Sequence, residues 1–363
     1  MQKKKDFMRL LLCLGICMVI FAGWIVVTDP FYHYHKPWFN MPVILGDVVY
    51  QSPGNATNLE YSDAILGTSM TENFRVSWFD EELAWDTMKL SYSGATSDDI
   101  HQILECMYEN DRQIEHILMD LNDYQLSEPA DRVYVERPEY LYSKVVLDDY
   151  RYLYNHDVFV LGMERVLSAL KGEGSNIETA FTWDGEELFG KERVLESARS
   201  AKEMLLAEQE ERLAQEQSIS EEDVSKNIEE AQSVCQDNLD NIIPFIEEHP
   251  ETEFNIFFPP YSVLYWEQVA LQDEIEEKIA MYTYAIEQLL PYENIKIFYF
   301  QGEDFIEDLD EYRDITHHKP EYNRYIFECV RDDKKRLTEE NYKEELDKVY
   351  QKVKDYDYEG VWE

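Results

Sequence analysis

Along the chain, short unbroken apolar runs alternate with longer stretches in which apolar residues return every three or four positions. The runs lie at residues 64–66, 88–92, 114–119, 254–258 and 295–300, each closed by Gly, Pro or a polar turn residue. Short apolar runs of this kind read as buried strands of a parallel sheet. Between them lie helical patterns, for example at residues 97–108. The expected fold class is α/β: three layers around a mostly parallel sheet of about five strands, in a doubly wound order.

A second pattern interrupts this alternation. Residues 190–248 are rich in Glu, Gln, Ala and Lys, and Val224, Ile228, Ala231, Cys235, Leu239, Ile242 and Ile246 fall at helical steps. They form one apolar face, which predicts a helical insertion packed on the core, with a coiled-coil seam as the weaker alternative. Ser220 with Asp223 resembles a helix cap. The charged residues 333–363 predict a solvated C-terminal helix with a frayed end.

The N-terminus has its own pattern. Lys3, Lys4, Lys5 and Arg9 precede an uncharged run of 18 residues at 10–27. That is about the minimum length for a membrane-spanning helix. The run ends Trp24-Ile25-Val26-Val27 with no small-residue cleavage site, so an uncleaved anchor is favoured over a signal peptide. Basic residues before the span place the N-terminus in the cytoplasm and the rest of the chain outside. The expected organisation is a cytoplasmic tip and anchor at 1–30, an α/β domain at 31–332 and a charged tail at 333–363. The aromatic stretch 31–38 fits a membrane interface; a metal site at His33 and His35 is the weaker reading.

The chain has 363 residues and a formal net charge of −43. Residues 1–27 carry a net +3, leaving −46 on the remainder. Such an excess argues against nucleic acid, whose phosphates need clustered Lys and Arg. Five cysteines without a CxxC pair read as single thiols and predict neither a zinc site nor a disulfide framework. No metal or cofactor is expected. Asn55-Ala56-Thr57 matches a glycosylation sequon, a pattern common by chance.

Four segments bear on chemistry. In Ile65-Leu66-Gly67-Thr68-Ser69 a strand ends, a glycine allows a tight turn and a serine follows at a helix start. This raises a hydroxyl at the carboxyl edge of a sheet, where α/β folds place their sites; alternatively Ser69 caps the helix. The second strand exits into Ser93-Gly94, where the Gly94 N–H could meet an oxyanion or serve an ordinary turn. The third exits into Asp120-Leu121-Asn122-Asp123, where Asn122 offers a side-chain amide or a turn. Late in the chain, Asp314 stands three residues before His317, which is followed by His318. A carboxylate so placed can orient an imidazole base, and either histidine could be that base. Thr71 and Asn73 beside the serine, and Tyr261 at the exit of the fourth strand, are candidate substrate contacts.

In order and placement over roughly residues 60–330, these segments resemble the sequence blocks of the SGNH/GDSL hydrolases. The resemblance implies Ser69 as nucleophile, Asp314 and His317 completing a triad, and an oxyanion hole from Ser69, Gly94 and Asn122. Two blocks depart from the family pattern: Thr68 replaces the usual Asp, and Asp120 replaces the third-block glycine, so that Asp120 could take the place with a different role. With its anchor, the chain is also similar in architecture to the teichoic acid D-alanine transfer protein and to polysaccharide O-acetyltransferases. The implied function is a membrane-anchored, extracellular serine esterase or O-acyltransferase acting on cell-envelope glycans or polymers, with a membrane-bound acyl donor protein as a possible partner. The alternative is a non-catalytic envelope protein of the same fold that binds a glycan or a partner protein.

Overall fold

The computed structural model describes residues 2–109, 112–133, 135–143, 145–214 and 221–362. In chain order its first elements are α1 (Gln2–Thr28), α2 (Val48–Asn58), β1 (Asp63–Gly67), α3 (Val76–Leu83), β2 (Thr87–Ser91), α4 (Ser97–Met107) and β3 (His116–Asp120). A long helical excursion follows: α5 (Asp123–Ser127), α6 (Glu139–Tyr142), α7 (Tyr150–Leu153), α8 (His156–Lys171), α9 (Lys191–Ala214), α10 (Glu221–Leu239) and α11 (Ile243–Glu248). The chain closes with β4 (Glu253–Phe258), α12 (Val263–Leu271), α13 (Ile275–Leu289), β5 (Ile295–Tyr299), α14 (Pro320–Arg331), β6 (Arg336–Leu337) and α15 (Tyr342–Lys354).

The fold is mixed α/β. Its six-stranded sheet has the order β2-β1-β3-β4-β5-β6, parallel except at the β6 edge. Ile65, Leu90, Leu118, Ile256 and Ile297, one from each expected strand, share this sheet. β1 and β2 are buried along their whole length, which is why their sequences run apolar rather than alternating. The third strand sits at His116–Asp120, slightly later than the apolar run at 114–119 suggested. β6 was not foreseen: it lies in the charged tail and pairs only Leu337 with Ile297 and Arg336 with Phe298. The tail helix also differs from the solvated one expected. Tyr342, Leu346, Val349 and Val353 of α15 are buried, an apolar stripe at helical spacing inside a charged sequence.

The chain divides into two compact units, a division that differs from the expected single span at 31–332. One comprises residues 1–61, 102–112 and 135–180; the other comprises 62–101, 113–134 and 181–363. The first is helical and has its own apolar cluster of Ile25, Phe31, Leu141, Tyr152 and Val158. Those residues come from widely separated parts of the chain, which is why no local pattern announces the unit. α1 is long and apolar enough to cross a membrane. In this unit His35 bonds the carbonyls of Lys36 and Val26 and stacks on Trp38, while His33 faces Asp149. Asn55 of the sequon is buried within α2, where a glycan has no room.

The second unit holds the sheet. In the insertion, Cys235, Leu239, Ile242 and Ile246 of the foreseen apolar face are buried, and α10 packs on α13 and α5. Ser220, the expected cap, lies outside the described residues.

Candidate active site

The site forms at the carboxyl ends of the strands of the second unit. β1 ends at Gly67, whose φ of +139° suits glycine alone. A Cβ there would stand 2.0 Å from Asp120 Oδ1, so the turn needs a residue without one. Thr68 and Ser69 follow. Ser69 opens a single 3₁₀ turn, Ser69–Thr71, rather than the longer helix expected, and α3 begins only at Val76.

What fixes this turn is Asp120, at the end of β3. Its fully buried carboxylate accepts the Thr68 N–H at 2.7 Å and the Thr68 hydroxyl at 2.6 Å. Burial raises its pKa, while these bonds act in the opposite sense. Asn122 Nδ2 donates to Thr68 Oγ1 at 3.0 Å and lies 3.2 Å from Asp120 Oδ2. Asn122 Oδ1 accepts from Gln125 N, capping α5. Both ends of the Asn122 amide are thus engaged within the protein, contrary to the expected oxyanion role. The residue nevertheless lines the cavity beside Ser69.

The late loop is fastened to the exit of β4. The Ser262 N–H and hydroxyl both donate to the Ile315 carbonyl at 2.9 Å, and Tyr312 pairs with His318 as an isolated bridge. This fastening sets Asp314 and His317 opposite Ser69. The Ser69 hydroxyl lies 2.8 Å from His317 Nε2, although the two residues are 248 positions apart. His317 Nδ1 faces both Asp314 oxygens, at 2.9 and 2.8 Å. Burial pushes the Asp314 carboxyl up, but the His317 contact and the N–H groups of Thr316 and His317 outweigh it and hold it well below the usual range. In the tautomer with Nδ1–H toward Asp314, Nε2 is free to accept the serine proton.

Of the two adjacent histidines, only His317 faces Ser69. His318 is buried, bonds the Lys319 carbonyl through Nδ1, and is pushed down to about 4 by that burial.

A cavity of about 510 Å³ opens at Ser69 and His317. Gly94, Ala95, Asn122, Tyr124, Tyr261 and Thr316 also line it. Gly94 has φ +74°, and an added Cβ would meet nothing within 4 Å, so its backbone borders open space. Tyr261 is buried at the cavity wall and accepts the Asp123 N–H at 3.0 Å. Thr71 and Asn73 are not in the cavity. Thr71 is fully buried and bonds the Thr68 carbonyl and Ser91 Oγ, bracing the turn. Asn73 is buried and accepts the Trp183 N–H at 2.9 Å.

Trp183 itself had no sequence signal. Its ring stands perpendicular to the His317 imidazole, with centroids 5.4 Å apart, and its indole N–H donates to Glu72 at 2.8 Å. Glu72 is buried three residues after the serine and is pushed up to about 7 by that burial. Arg313 lies over the other part of this packing, 5.4 Å from the Trp183 ring. A lone Trp in an irregular segment and a Glu after a 3₁₀ turn carry no motif; only the fold unites them.

Among the described residues, one group of three possible metal ligands comes together, Asp63, Glu115 and His116, at the opposite ends of β1 and β3 from Ser69. Two of its members are already paired, His116 Nδ1 with Asp63 at 2.6 Å. Comparison of the chain with protein-family models, curated proteins and solved structures finds no match.

Proposed function

We propose that this chain is a membrane-anchored serine esterase or O-acyltransferase of the SGNH/GDSL type, working outside the cell on acyl esters of cell-envelope glycans or polymers. One observation carries the reading: Ser69, His317 and Asp314 form a continuous hydrogen-bonded series beside a cavity of the size small ligands occupy. Nothing local in the sequence requires the series, and a serine that merely caps a turn has no need of an imidazole held by a carboxylate.

The chemistry follows from the geometry. Ser69 Oγ attacks the acyl carbonyl as its proton passes to His317 Nε2. Asp314 stabilises the resulting imidazolium. The carbonyl oxygen gains negative charge and is met by backbone N–H groups at Ser69 and Gly94. The tetrahedral adduct collapses, the C–O bond to the departing alcohol breaks, and His317 returns the proton to that alcohol. A second hydroxyl, from water or from an acceptor such as a polysaccharide or a teichoic acid-like polymer, then attacks the acyl-serine with His317 again taking its proton; the acyl–Oγ bond breaks and His317 returns the proton to Ser69. Water yields an acid; a polymer hydroxyl yields a new ester. A membrane-bound acyl donor protein would fit the anchored arrangement.

The non-catalytic alternative draws support from Asn122, whose amide is engaged with Thr68 and Asp120 instead of being free for an oxyanion. A serine-directed fluorophosphonate probe separates the two readings. The enzyme reading expects labelling of the full-length protein that is lost in Ser69→Ala. Absence of labelling, together with no turnover of a small acetyl ester, would leave glycan or partner binding as the function. Protease shaving of intact cells tests the orientation: a domain protected until the membrane is broken would overturn it.

A further inference from the structure

We propose that the first unit carries a second membrane contact, a short helical stripe at Leu147, Tyr150 and Tyr154 that lies in the headgroup region of the leaflet where α1 ends. The inference rests on the reading of α1 as a membrane span and is independent of the chemistry at Ser69.

The starting point is a length. The uncharged run at 10–27 has 18 residues, which in a helix is about 27 Å, close to the hydrocarbon thickness of about 30 Å. The side chains of this helix are exposed as far as Ile20, whereas Phe21, Trp24, Ile25 and Thr28 are packed against protein. The part free to meet lipid on all sides, residues 10–20, is only about 16 Å long. A bilayer that covers the whole run therefore reaches the level of Phe21. What packs there comes from residues 150–162. Phe21 stacks on Phe159 at 4.7 Å and on Tyr154 at 6.4 Å. Trp24 also meets Phe159, at 5.9 Å, and Gly162 is pressed against Thr28. The start of α8 and the end of α7 thus flank the span at membrane depth.

From that contact an apolar stripe extends. Leu147 and Tyr150 of the helical stretch 146–153 and Tyr154 just after it follow one another at three- and four-residue steps, and they are 84%, 57% and 45% exposed. Contiguous apolar side chains this exposed mark an interaction surface rather than ordinary scatter, and tyrosines are the side chains that favour a bilayer interface. The nearby charges agree with a shallow position. Asp148 accepts the Ser143 hydroxyl and Asp149 faces His33, so both are turned back toward the protein. Arg151 is exposed and its guanidinium donates to the Tyr150 hydroxyl at 3.3 Å, so the stripe carries its one cation at the tyrosine's polar end, where headgroup phosphates would lie. His156 and Asp157 are exposed at the start of α8, which keeps this end among the headgroups rather than in hydrocarbon. With a net −43 on the chain, the contact is apolar and aromatic and needs no anionic lipid.

The test uses the full-length chain in zwitterionic phosphatidylcholine vesicles carrying nitroxides at known acyl depths. A polarity-sensitive thiol dye is placed singly at Leu147→Cys, Tyr150→Cys or Leu170→Cys with Cys13 and Cys17 changed to alanine, and separately at native Cys17 with Cys13→Ala. Leu170, 79% exposed at the far end of α8, is the water-facing control. The expected result is quenching at 147 and 150 that is strongest for nitroxides roughly 5–10 Å into the headgroup and acyl boundary. Position 170 should be unaffected, and Cys17 should be quenched most by deep nitroxides. If Cys17 is quenched by deep nitroxides while 147 and 150 match 170, the stripe is not a lipid contact and the proposal falls alone. A dye at 147 or 150 that is shielded from water yet untouched by any nitroxide would also overturn it, in favour of a protein partner. Failure of deep quenching at Cys17 overturns the spanning helix and the stripe together.

Discussion

Thr68 gives both of its hydrogens to one buried group: its N–H at 2.7 Å and its hydroxyl at 2.6 Å end on the carboxylate of Asp120. The pair joins the end of β1 to the end of β3 and so fixes where the Ser69 hydroxyl points. Asp120→Ala takes the acceptor from three buried donor hydrogens, the Thr68 N–H and hydroxyl and one of the Asn122 amide, and should cost on the order of 3 kcal/mol. Thr68→Val keeps the shape, removes one bond and should cost about 1–2 kcal/mol. Gly67→Ala should be at least as damaging as Asp120→Ala, because its Cβ would stand 2.0 Å from Asp120 Oδ1 on a backbone with φ +139°. Denaturant midpoints check this order; three equal midpoints would mean that the turn is held by something else.

The adjacent histidines predict opposite kinetic outcomes. His317→Ala should remove the base and lower kcat toward the level of Ser69→Ala, a loss on the order of a thousandfold or more. Asp314→Asn keeps the shape but lets the imidazole take the wrong tautomer, with an expected loss on the order of 10⁴ in kcat. His318→Leu should leave kcat within a few-fold, because its ring faces the Lys319 carbonyl rather than Ser69. Turnover of an acetyl ester by the three variants decides. An inactive His318→Leu beside an active His317→Ala would reverse the assignment.

Glu72 and His318 set the pH dependence of stability with opposite signs. Burial raises Glu72 from 4.5 to about 7, so the folded chain binds more protons than the unfolded one in that window. Stability from this group is therefore present below 4.5 and is lost as the pH rises toward 7, by up to about 3 kcal/mol. Burial lowers His318 from 6.5 to about 4, so here the unfolded chain binds more protons. Its contribution is present above 6.5 and is lost as the pH falls toward 4, again by up to about 3 kcal/mol. In the wild type the two slopes nearly cancel. Glu72→Gln should unmask a stability that climbs from pH 4 to 6.5, and His318→Leu one that declines from pH 4.5 to 7. Denaturation of both variants across this range checks the signs; two profiles parallel to that of the wild type would show that neither group titrates as its burial implies.

The sheet was legible because each strand is a short run buried on both faces, so that Ile65, Leu90, Leu118, Ile256 and Ile297 stand out without any alternation. Gly67 marked the turn because only glycine tolerates that backbone against a neighbouring carboxylate. Asp314 and His317 were legible as a pair because three residues of separation bring the carboxylate to Nδ1. Other features depend on tertiary contact and leave no local trace. β6 is too short to form a run, and the apolar stripe of α15 is diluted by charge. Trp183 reaches His317 from the irregular segment between α8 and α9, ahead of the insertion. Nearness to Ser69 in sequence suggests Thr71 and Asn73 as substrate contacts, but Thr71 turns inward within the 3₁₀ turn and Asn73, just after it, bonds Trp183. The family pattern points to Asn122 as an oxyanion donor, whereas the carboxylate at Asp120 draws its amide away.

Gly94 and Asn122 can be told apart as oxyanion donors by what each substitution disturbs. At Gly94 an added Cβ meets no protein atom within 4 Å, so Gly94→Ala should cost only about 1 kcal/mol of stability for its φ of +74°. The new methyl projects where a substrate oxygen must approach, so kcat/KM should fall by on the order of a hundredfold, in the range seen when an oxyanion donor is lost. Asn122→Ala removes the α5 cap and a donor to Thr68, so about 1–2 kcal/mol of stability should go. With its amide engaged elsewhere, its effect on kcat should remain below the hundredfold of a true donor. The comparison is made with one acetyl ester at a temperature where both variants are folded. If Asn122→Ala loses a hundredfold or more in kcat while Gly94→Ala is near wild type, the amide must leave Thr68 during turnover, and the oxyanion is held by Asn122 and not by the Gly94 backbone.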